Sequence, residues 1–197
     1  MKVFISPKEW SHSIDRFEPD HMVSLQDPDA DLNYLRPEWI HKENHLIGLF
    51  YDCDIPEHEH APTAVCIREV IDWLKPRCES DSKNQFIIHC DAGLGRSPAI
   101  GYIAWALHYG PGLEEKAFRK MQDSCFNTQI IPNTIIVMHA DDYLKRDGNL
   151  SEVLTQWNHR VTWRRTFRWS ECSRFNQGNP SFPWNECRMV PNVESEL

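Results

Sequence analysis

The chain has 197 residues, of which 41% are hydrophobic and 25% charged, and its formal net charge is −8 at pH 7. This length suits one domain with an appendage, and the hydrophobic fraction is large enough for a packed core. The negative charge argues against nucleic acid or an anionic membrane as the main partner.

The N-terminal residues 1–7 turn polar too quickly for a signal peptide, and no run approaches the roughly 20 apolar residues of a membrane span. The seven cysteines include no CxxC pair, so we interpret them as reduced thiols of a cytoplasmic protein. We expect no metal ion and no organic cofactor. The nearest approach to a metal site, His58 and His60 with Cys53, is better explained as a solvated acidic loop.

Apolar runs and helical periodicities alternate along the first 148 residues. Short apolar runs predict strands at 2–6, 22–25, 45–51 and 85–89. Apolar spacing, with proline or glycine at the ends, predicts helices at 63–74, 98–109, 113–121 and 132–144. This alternation predicts an α/β fold in which helices flank both faces of a small central, mostly parallel sheet.

The composition changes after Gly148, and four of the eight tryptophans follow it, interleaved with arginines. We therefore divide the chain into a domain of residues 1–148 and a Trp/Arg-rich C-terminal extension of residues 149–197. Packing of these aromatic residues on the domain, a protein contact and RNA binding all stay open as roles for the extension.

The most informative segment, residues 87–98, has the sequence IIHCDAGLGRSP. A buried strand ends at His89, a glycine-containing turn follows, and a buried helix begins. Successive backbone N–H groups of such a turn can surround one anion, and the helix N-terminus adds further donors and positive potential. We predict that this turn binds phosphate through Asp91, Ala92, Gly93, Leu94, Gly95 and Arg96.

Cys90 opens the turn, where the potential that binds a phosphate dianion also stabilises a thiolate. Arg96, six residues later, can hold two phosphate oxygens with parallel hydrogen bonds. Gly93 and Gly95 allow positive φ and a close approach of the backbone to a ligand. The alternative is a buried core cysteine beside ordinary turn glycines. The combination of His, Cys, Gly, Arg and Ser between strand and helix favours the anion site.

His89-Cys90, five further residues and Arg96-Ser97 resemble the HCx5R signature of the protein tyrosine phosphatases, which Ser or Thr follows. The wider chain resembles the compact dual-specificity-like branch, particularly its small bacterial and phage members, over roughly residues 1–148. Segments 21–25, 52–62 and 132–144 resemble that branch's early strand, its general-acid loop with the following helix, and its last helix. The extension is not covered.

The resemblance implies the cysteine-based phosphatase fold and hydrolysis of a phosphomonoester through a phosphocysteine intermediate. It implies that Cys90 is the nucleophile, that Arg96 stabilises the transferred phosphoryl group, and that Ser97 hydrogen-bonds the sulfur and assists breakdown of the intermediate. It also implies that His89 orients the turn rather than acting as a base.

The resemblance places the general acid on a loop that precedes the cysteine. Asp54 is our candidate, because Asp54-Ile55 matches a pattern of that branch and lies 36 residues before Cys90. Asp52 is the alternative.

The implied substrate is a phosphorylated protein, with phosphotyrosine first and phosphoserine or phosphothreonine next. Asp91 and the lack of lysine in the turn disfavour highly anionic substrates, and the Asp91 side chain is expected to point outward. Two alternatives stay open: a catalytically weak module that binds phosphoproteins, and a phosphatase of RNA 5′-phosphates. A membrane is not an expected partner.

Overall fold

The computed structural model describes residues 1–11, 19–30, 37–59, 61–79, 83–127, 129–159 and 188–189. Its strands are β1 (Lys2–Pro7), β2 (His21–Gln26), β3 (His45–Leu49), β4 (Gln85–Cys90) and β5 (Arg188–Met189). They form one sheet in the order β1-β4-β2-β3-β5. The first four strands are parallel, and the two-residue β5 pairs antiparallel with β3. The predicted mostly parallel sheet is confirmed.

The helices are α1 (Lys8–Ser11), α2 (Ala64–Glu79), α3 (Arg96–Tyr109), α4 (Glu114–Ser124), α5 (Thr134–Leu144) and α6 (Asn149–His159), with a short 3-10 turn at Lys42–Asn44. The four predicted helices are confirmed as α2 to α5. Helix α2 runs five residues beyond its predicted end, through Pro76, and its last turn buries Cys78 in the core. Helix α6 was not predicted.

The main core lies between one face of the sheet and helices α2 to α6, where strand residues such as Val23, Phe86 and Ile88 pack. Every residue of α3 from Arg96 to Leu107 is buried, as an all-round apolar helix requires. The opposite face carries a smaller cluster of Met22, Ile40 and Ile87. Among the described residues, α2 to α6 therefore share one core, whereas we expected helices on both faces.

The first part of the C-terminal extension belongs to the same core. Helix α6 buries Leu150 and Leu154, and the Trp157 ring lies 5.7 Å from the Phe118 ring on α4. The Tyr102 hydroxyl donates to the Leu150 carbonyl oxygen at 3.4 Å. Residues 160–187 and 190–197, which hold the other tryptophans of the extension, lie outside the described residues.

The parallel sheet determines where a site can form. Pro7 pairs with Cys90, and Gln26 pairs with Leu49, so the four parallel strands end at one edge. The segments that follow β2, β3 and β4 therefore leave the sheet side by side, where ligands bind in open α/β sheets. No helix in the described parts of the chain is long and apolar enough to cross a membrane.

Candidate active site

The turn between β4 and α3 is held from outside through its carbonyl oxygens. Those of Asp91, Leu94 and Gly95 accept hydrogen bonds from backbone N–H groups, at 3.2 Å, 2.7 Å and 3.2 Å, and that of Ala92 accepts from the Asn127 side chain at 3.0 Å. In a trans peptide the carbonyl of one residue and the N–H of the next point in opposite directions. The N–H groups of Ala92, Gly93, Gly95 and Arg96, which follow these carbonyls, therefore point away from the outer contacts, as an anion site requires.

Gly93 is the residue of this turn for which only glycine fits. Its φ is +68°, and a Cβ there would lie 2.6 Å from the Pro7 backbone nitrogen and 2.8 Å from the Ser6 carbonyl carbon. The turn therefore packs directly on the end of β1. Gly95 was expected to need the same freedom, but its φ is −114°, which other residues also adopt.

The Cys90 sulfur lies at the start of this turn, and 2% of the residue is exposed. Its Sγ is 3.2 Å from the Ser97 hydroxyl oxygen, on the first turn of α3. Burial raises the pKa of the Cys78 and Cys125 thiols to about 12, so these two cysteines stay protonated at neutral pH. They are therefore poor nucleophiles.

Arg96 is buried, with 3% exposed, and its guanidinium is fixed along one side. Its Nη1 donates to Asp27 Oδ1 at 2.6 Å and to the Phe50 carbonyl oxygen at 2.7 Å. Its Nε is buried and has no hydrogen-bond partner within the described residues. Since both Nη1 hydrogens are used, the edge formed by Nε and Nη2 is the one that can bind two oxygens of a ligand.

Asp27 is a site residue that the sequence interpretation missed. It directly follows β2 and is separated from Arg96 by 69 positions. Burial raises the pKa of its carboxyl group, although the Arg96 charge opposes this shift. Burial alone lowers the Arg96 pKa, but the charges of Asp27, Cys90, Asp52 and Asp91 outweigh it and raise that pKa. The guanidinium therefore stays charged.

The Asp91 side chain is half-exposed, which fits the expected outward orientation. Its Oδ2 nevertheless lies 3.4 Å from Arg96 Nη2, with 52% of the side chain exposed. Asp91 therefore adds a second carboxylate to the Arg96 environment.

The segment after β3 carries both candidate acids, and Asn133 connects it to the turn. The Asn133 side-chain amide donates to Asp52 Oδ1 and to the Cys53 carbonyl oxygen, both at 2.9 Å. Its backbone N–H donates to Gly95 O at 3.2 Å, and its Oδ1 caps helix α5. Asp52 is thus tied to a fully buried residue, and its charge acts on Arg96. Asp54 lies two residues further along this segment and is partly buried.

His89 belongs to a buried polar chain that crosses the sheet behind the turn. Ser24 Oγ lies 2.6 Å from His89 Nε2 and 2.7 Å from His45 Nε2, and all three residues are buried. Ser24 has one hydroxyl hydrogen, so between two neutral histidines it donates to one and accepts from the other. Ser24 and His45 therefore fix the ring of His89, and the sequence interpretation missed both residues.

The assembled geometry suits a small tetrahedral anion. It joins inward N–H groups, a buried guanidinium edge and a sulfur atom, and carboxylates lie beside them. In the described parts of the chain, no group of three or more His, Cys, Asp or Glu side chains is arranged to hold a metal ion.

The chain is similar in structure to solved phosphatases. The PTP-2 phosphatase of Cydia pomonella superposes with a TM-score of 0.54 at 17% identity, over 72% of this chain and 85% of that one. PTPMT1 in complex with PI(5)P gives 0.47 at 14% identity, over 79% and 94%. Tk-PTP in its active form gives 0.42 at 19% identity, over 77% and 92%.

No protein-family model and no curated protein sequence matches the chain. The fold class expected from the resemblance is confirmed by the structural match to PTP-2. The chain has the fold of the PTP-2 phosphatase of Cydia pomonella.

Proposed function

We propose that the chain is a cysteine-dependent protein phosphatase that hydrolyses phosphotyrosine, with phosphoserine and phosphothreonine as further substrates. The observation that carries this proposal is the buried Arg96 edge, whose Nε has no hydrogen-bond partner within the described residues. A phosphate dianion would bind this edge and the inward N–H groups of the turn together. Preorganised donors of this kind stabilise the charge of a phosphoryl group in the transition state.

In the first step, the Cys90 thiolate attacks phosphorus and the bond to the leaving oxygen breaks. A general acid gives that oxygen a proton, so the dephosphorylated side chain leaves neutral. The phosphoryl group stays on Cys90 as a thiophosphate ester, held by Arg96 and the backbone N–H groups of residues 91–96.

In the second step, the deprotonated acid takes a proton from water, whose oxygen attacks phosphorus. The sulfur–phosphorus bond breaks and releases inorganic phosphate and the Cys90 thiolate. The Ser97 hydroxyl, 3.2 Å from the sulfur, donates a hydrogen bond to the departing thiolate.

Asp54 remains our candidate for the general acid, with Asp52 as its competitor. Asp52 accepts a hydrogen bond from the buried amide of Asn133, so one of its oxygens has a positioning function. Asp52 is also near enough to influence Arg96 electrostatically. We therefore assign Asp52 to the support of the site and Asp54 to proton transfer.

The test is phosphate release from a phosphotyrosine peptide by the wild type and by Cys90→Ser. We expect the variant to lose turnover, because an alcohol is a weak nucleophile here, and to keep phosphopeptide binding in a calorimetric titration. Cys125→Ser is the matched control and is expected to stay active, since the buried Cys125 thiol is protonated at neutral pH.

Full activity of Cys90→Ser would contradict the proposal. A wild type that binds the phosphopeptide but releases no phosphate would instead support the alternative of a phosphoprotein-binding module.

A further inference from the structure

Carboxylates surround the guanidinium of Arg96. Asp27 Oδ1 lies 2.6 Å from Nη1 and Asp91 Oδ2 lies 3.4 Å from Nη2. Asp52 is linked to the turn through Asn133. The Asn133 side-chain amide donates to the Asp52 carboxylate, and its backbone N–H donates to the Gly95 carbonyl oxygen. Three acidic side chains thus share the space around one cation that must also bind phosphate.

A further acidic side chain extends this arrangement to the surface. Asp29 is exposed in the turn that follows β2, and its charge acts on both Asp27 and Tyr51. We call Asp29 and Asp91 the acidic rim.

Among the described residues of these segments, basic side chains are fewer than acidic ones. Arg96 is buried, and Lys8 lies where its backbone N–H donates to the Asp91 carbonyl oxygen at 3.2 Å. A phosphate dianion can still bind, because the turn offers N–H groups and Arg96 Nε is buried without a partner in the described residues. One phosphate would use the Arg96 edge, and a further negative charge beside it would face the acidic rim.

We propose that the site takes phosphorylated protein segments that carry lysine or arginine beside the phosphorylated residue, and that it rejects substrates with several phosphates in a row. This inference rests on the proposed phosphatase function. Lysine and arginine would pair with the rim, whereas glutamate, aspartate or a second phosphate would face like charges. Charge complementarity of this kind governs which partners associate and how fast.

The experiment compares phosphotyrosine peptides of equal length that have lysine, serine or glutamate on both sides of the phosphotyrosine. We expect kcat/KM for the lysine peptide to exceed that for the glutamate peptide at least about 10-fold at low ionic strength. The ratio should shrink as salt is added, because exposed charges are screened. p-Nitrophenyl phosphate, which carries no flanking charge, is the reference substrate.

The variant Asp29→Asn/Asp91→Asn removes two rim charges and should lower the ratio of lysine to glutamate peptide several-fold. Glu115→Gln is the matched control. Glu115 is an exposed residue of α4, which follows the far end of α3 from Arg96, so this variant should keep the wild-type ratio. The ratio compares substrates of one enzyme preparation, so a change in overall activity does not affect it.

The outcomes test the preference for basic flanking residues separately from the proposed phosphatase function. If neither p-nitrophenyl phosphate nor any peptide is hydrolysed, the proposed function is wrong. If all are hydrolysed but the lysine and glutamate peptides are equal, or glutamate is preferred, the function stands and the inference is overturned. Faster hydrolysis of a 5′-triphosphorylated oligoribonucleotide than of the lysine peptide would also overturn it. An unchanged ratio in the rim variant would show that the rim is not its cause.

Discussion

The turn after β4 and the segment after β3 leave the same edge of the sheet, but they hold their functional residues differently. The turn is fixed by hydrogen bonds to its carbonyl oxygens and by contact of Gly93 with the end of β1. The segment is tied to the core near its start, through Asp52 and Cys53, and becomes exposed at Glu57 and Glu59.

This difference matches two separate functions, phosphate binding by the turn and proton transfer by the segment after β3. Phosphate binding needs donors that are preorganised before the substrate arrives, and a turn fixed by hydrogen bonds provides them. Proton transfer must reach leaving groups of different shape, and a partly exposed segment adapts more easily. Changes in the turn should therefore abolish activity with every substrate, whereas changes in the segment should depend on the leaving group.

The largest effect is expected for Arg96→Lys. Lysine keeps the charge but cannot bond Asp27 and the Phe50 carbonyl oxygen while also binding two phosphate oxygens. We expect kcat/KM for p-nitrophenyl phosphate to fall about 10³-fold. The fall should be similar for an alkyl phosphate, because the turn acts on the phosphoryl group itself. A loss of less than 10-fold would contradict the assigned role of Arg96.

The next largest effect is expected for Asp54→Ala, which tests proton transfer by the segment after β3. We expect kcat for phosphotyrosine peptides to fall at least about 10²-fold, since the leaving oxygen then departs without a proton. The fall should be smaller for aryl phosphates whose leaving group is more acidic, because these need less protonation. Steady-state rates across a series of leaving groups measure this.

Two variants serve as comparisons for Asp54→Ala. Glu57→Ala removes an exposed carboxylate from the same segment and should leave the leaving-group dependence unchanged. If Asp52→Ala alone produces the leaving-group dependence, then Asp52 is the general acid and our assignment of Asp54 is wrong.

The strand and helix that flank the turn could be predicted because they are contiguous in the sequence. Strand β4, the turn and α3 follow one another within 25 residues, so local hydrophobicity, two glycines and the HCx5R spacing predict them together. Asp27 lies on another strand, and its contact with Arg96 depends on the order of strands in the sheet. A carboxylate directly after a buried strand was the available signal, since parallel strands end at one edge.

Helix α6 was missed for a different reason. Leu150, Val153, Leu154 and Trp157 have the i, i+3, i+4, i+7 spacing of an amphipathic helix, and this pattern was present in the sequence. We placed the domain boundary at Gly148 because the composition changes there, and not from the helical periodicity that follows it. The tryptophan and arginine content is a property of the whole extension. The apolar periodicity that predicts packing on the core is confined to its first eleven residues.

The smallest effect is expected for Asp27→Asn, and its pH dependence identifies the cause. Asparagine can accept the hydrogen bond from Arg96 Nη1 but lacks the charge, so Arg96 is oriented less firmly. We expect kcat/KM to fall about 10-fold at neutral pH, because small displacements of a catalytic group lower the rate by amounts of this order. Burial raises the Asp27 pKa above its usual value of 3.8, so the wild type itself gains a proton there as pH falls.

The wild-type advantage over Asp27→Asn should therefore be fully present above the raised Asp27 pKa and shrink as pH falls through it. Below that pKa the wild type carries a neutral carboxyl group, which resembles the amide of the variant. pH profiles of kcat/KM for p-nitrophenyl phosphate measure the ratio, with Asp123→Asn on the exposed surface of α4 as a control that should follow the wild type. A ratio that stays constant across this range would mean that the Asp27 charge does not position Arg96, and that the 2.6 Å contact serves the packing of β2 against α3 instead.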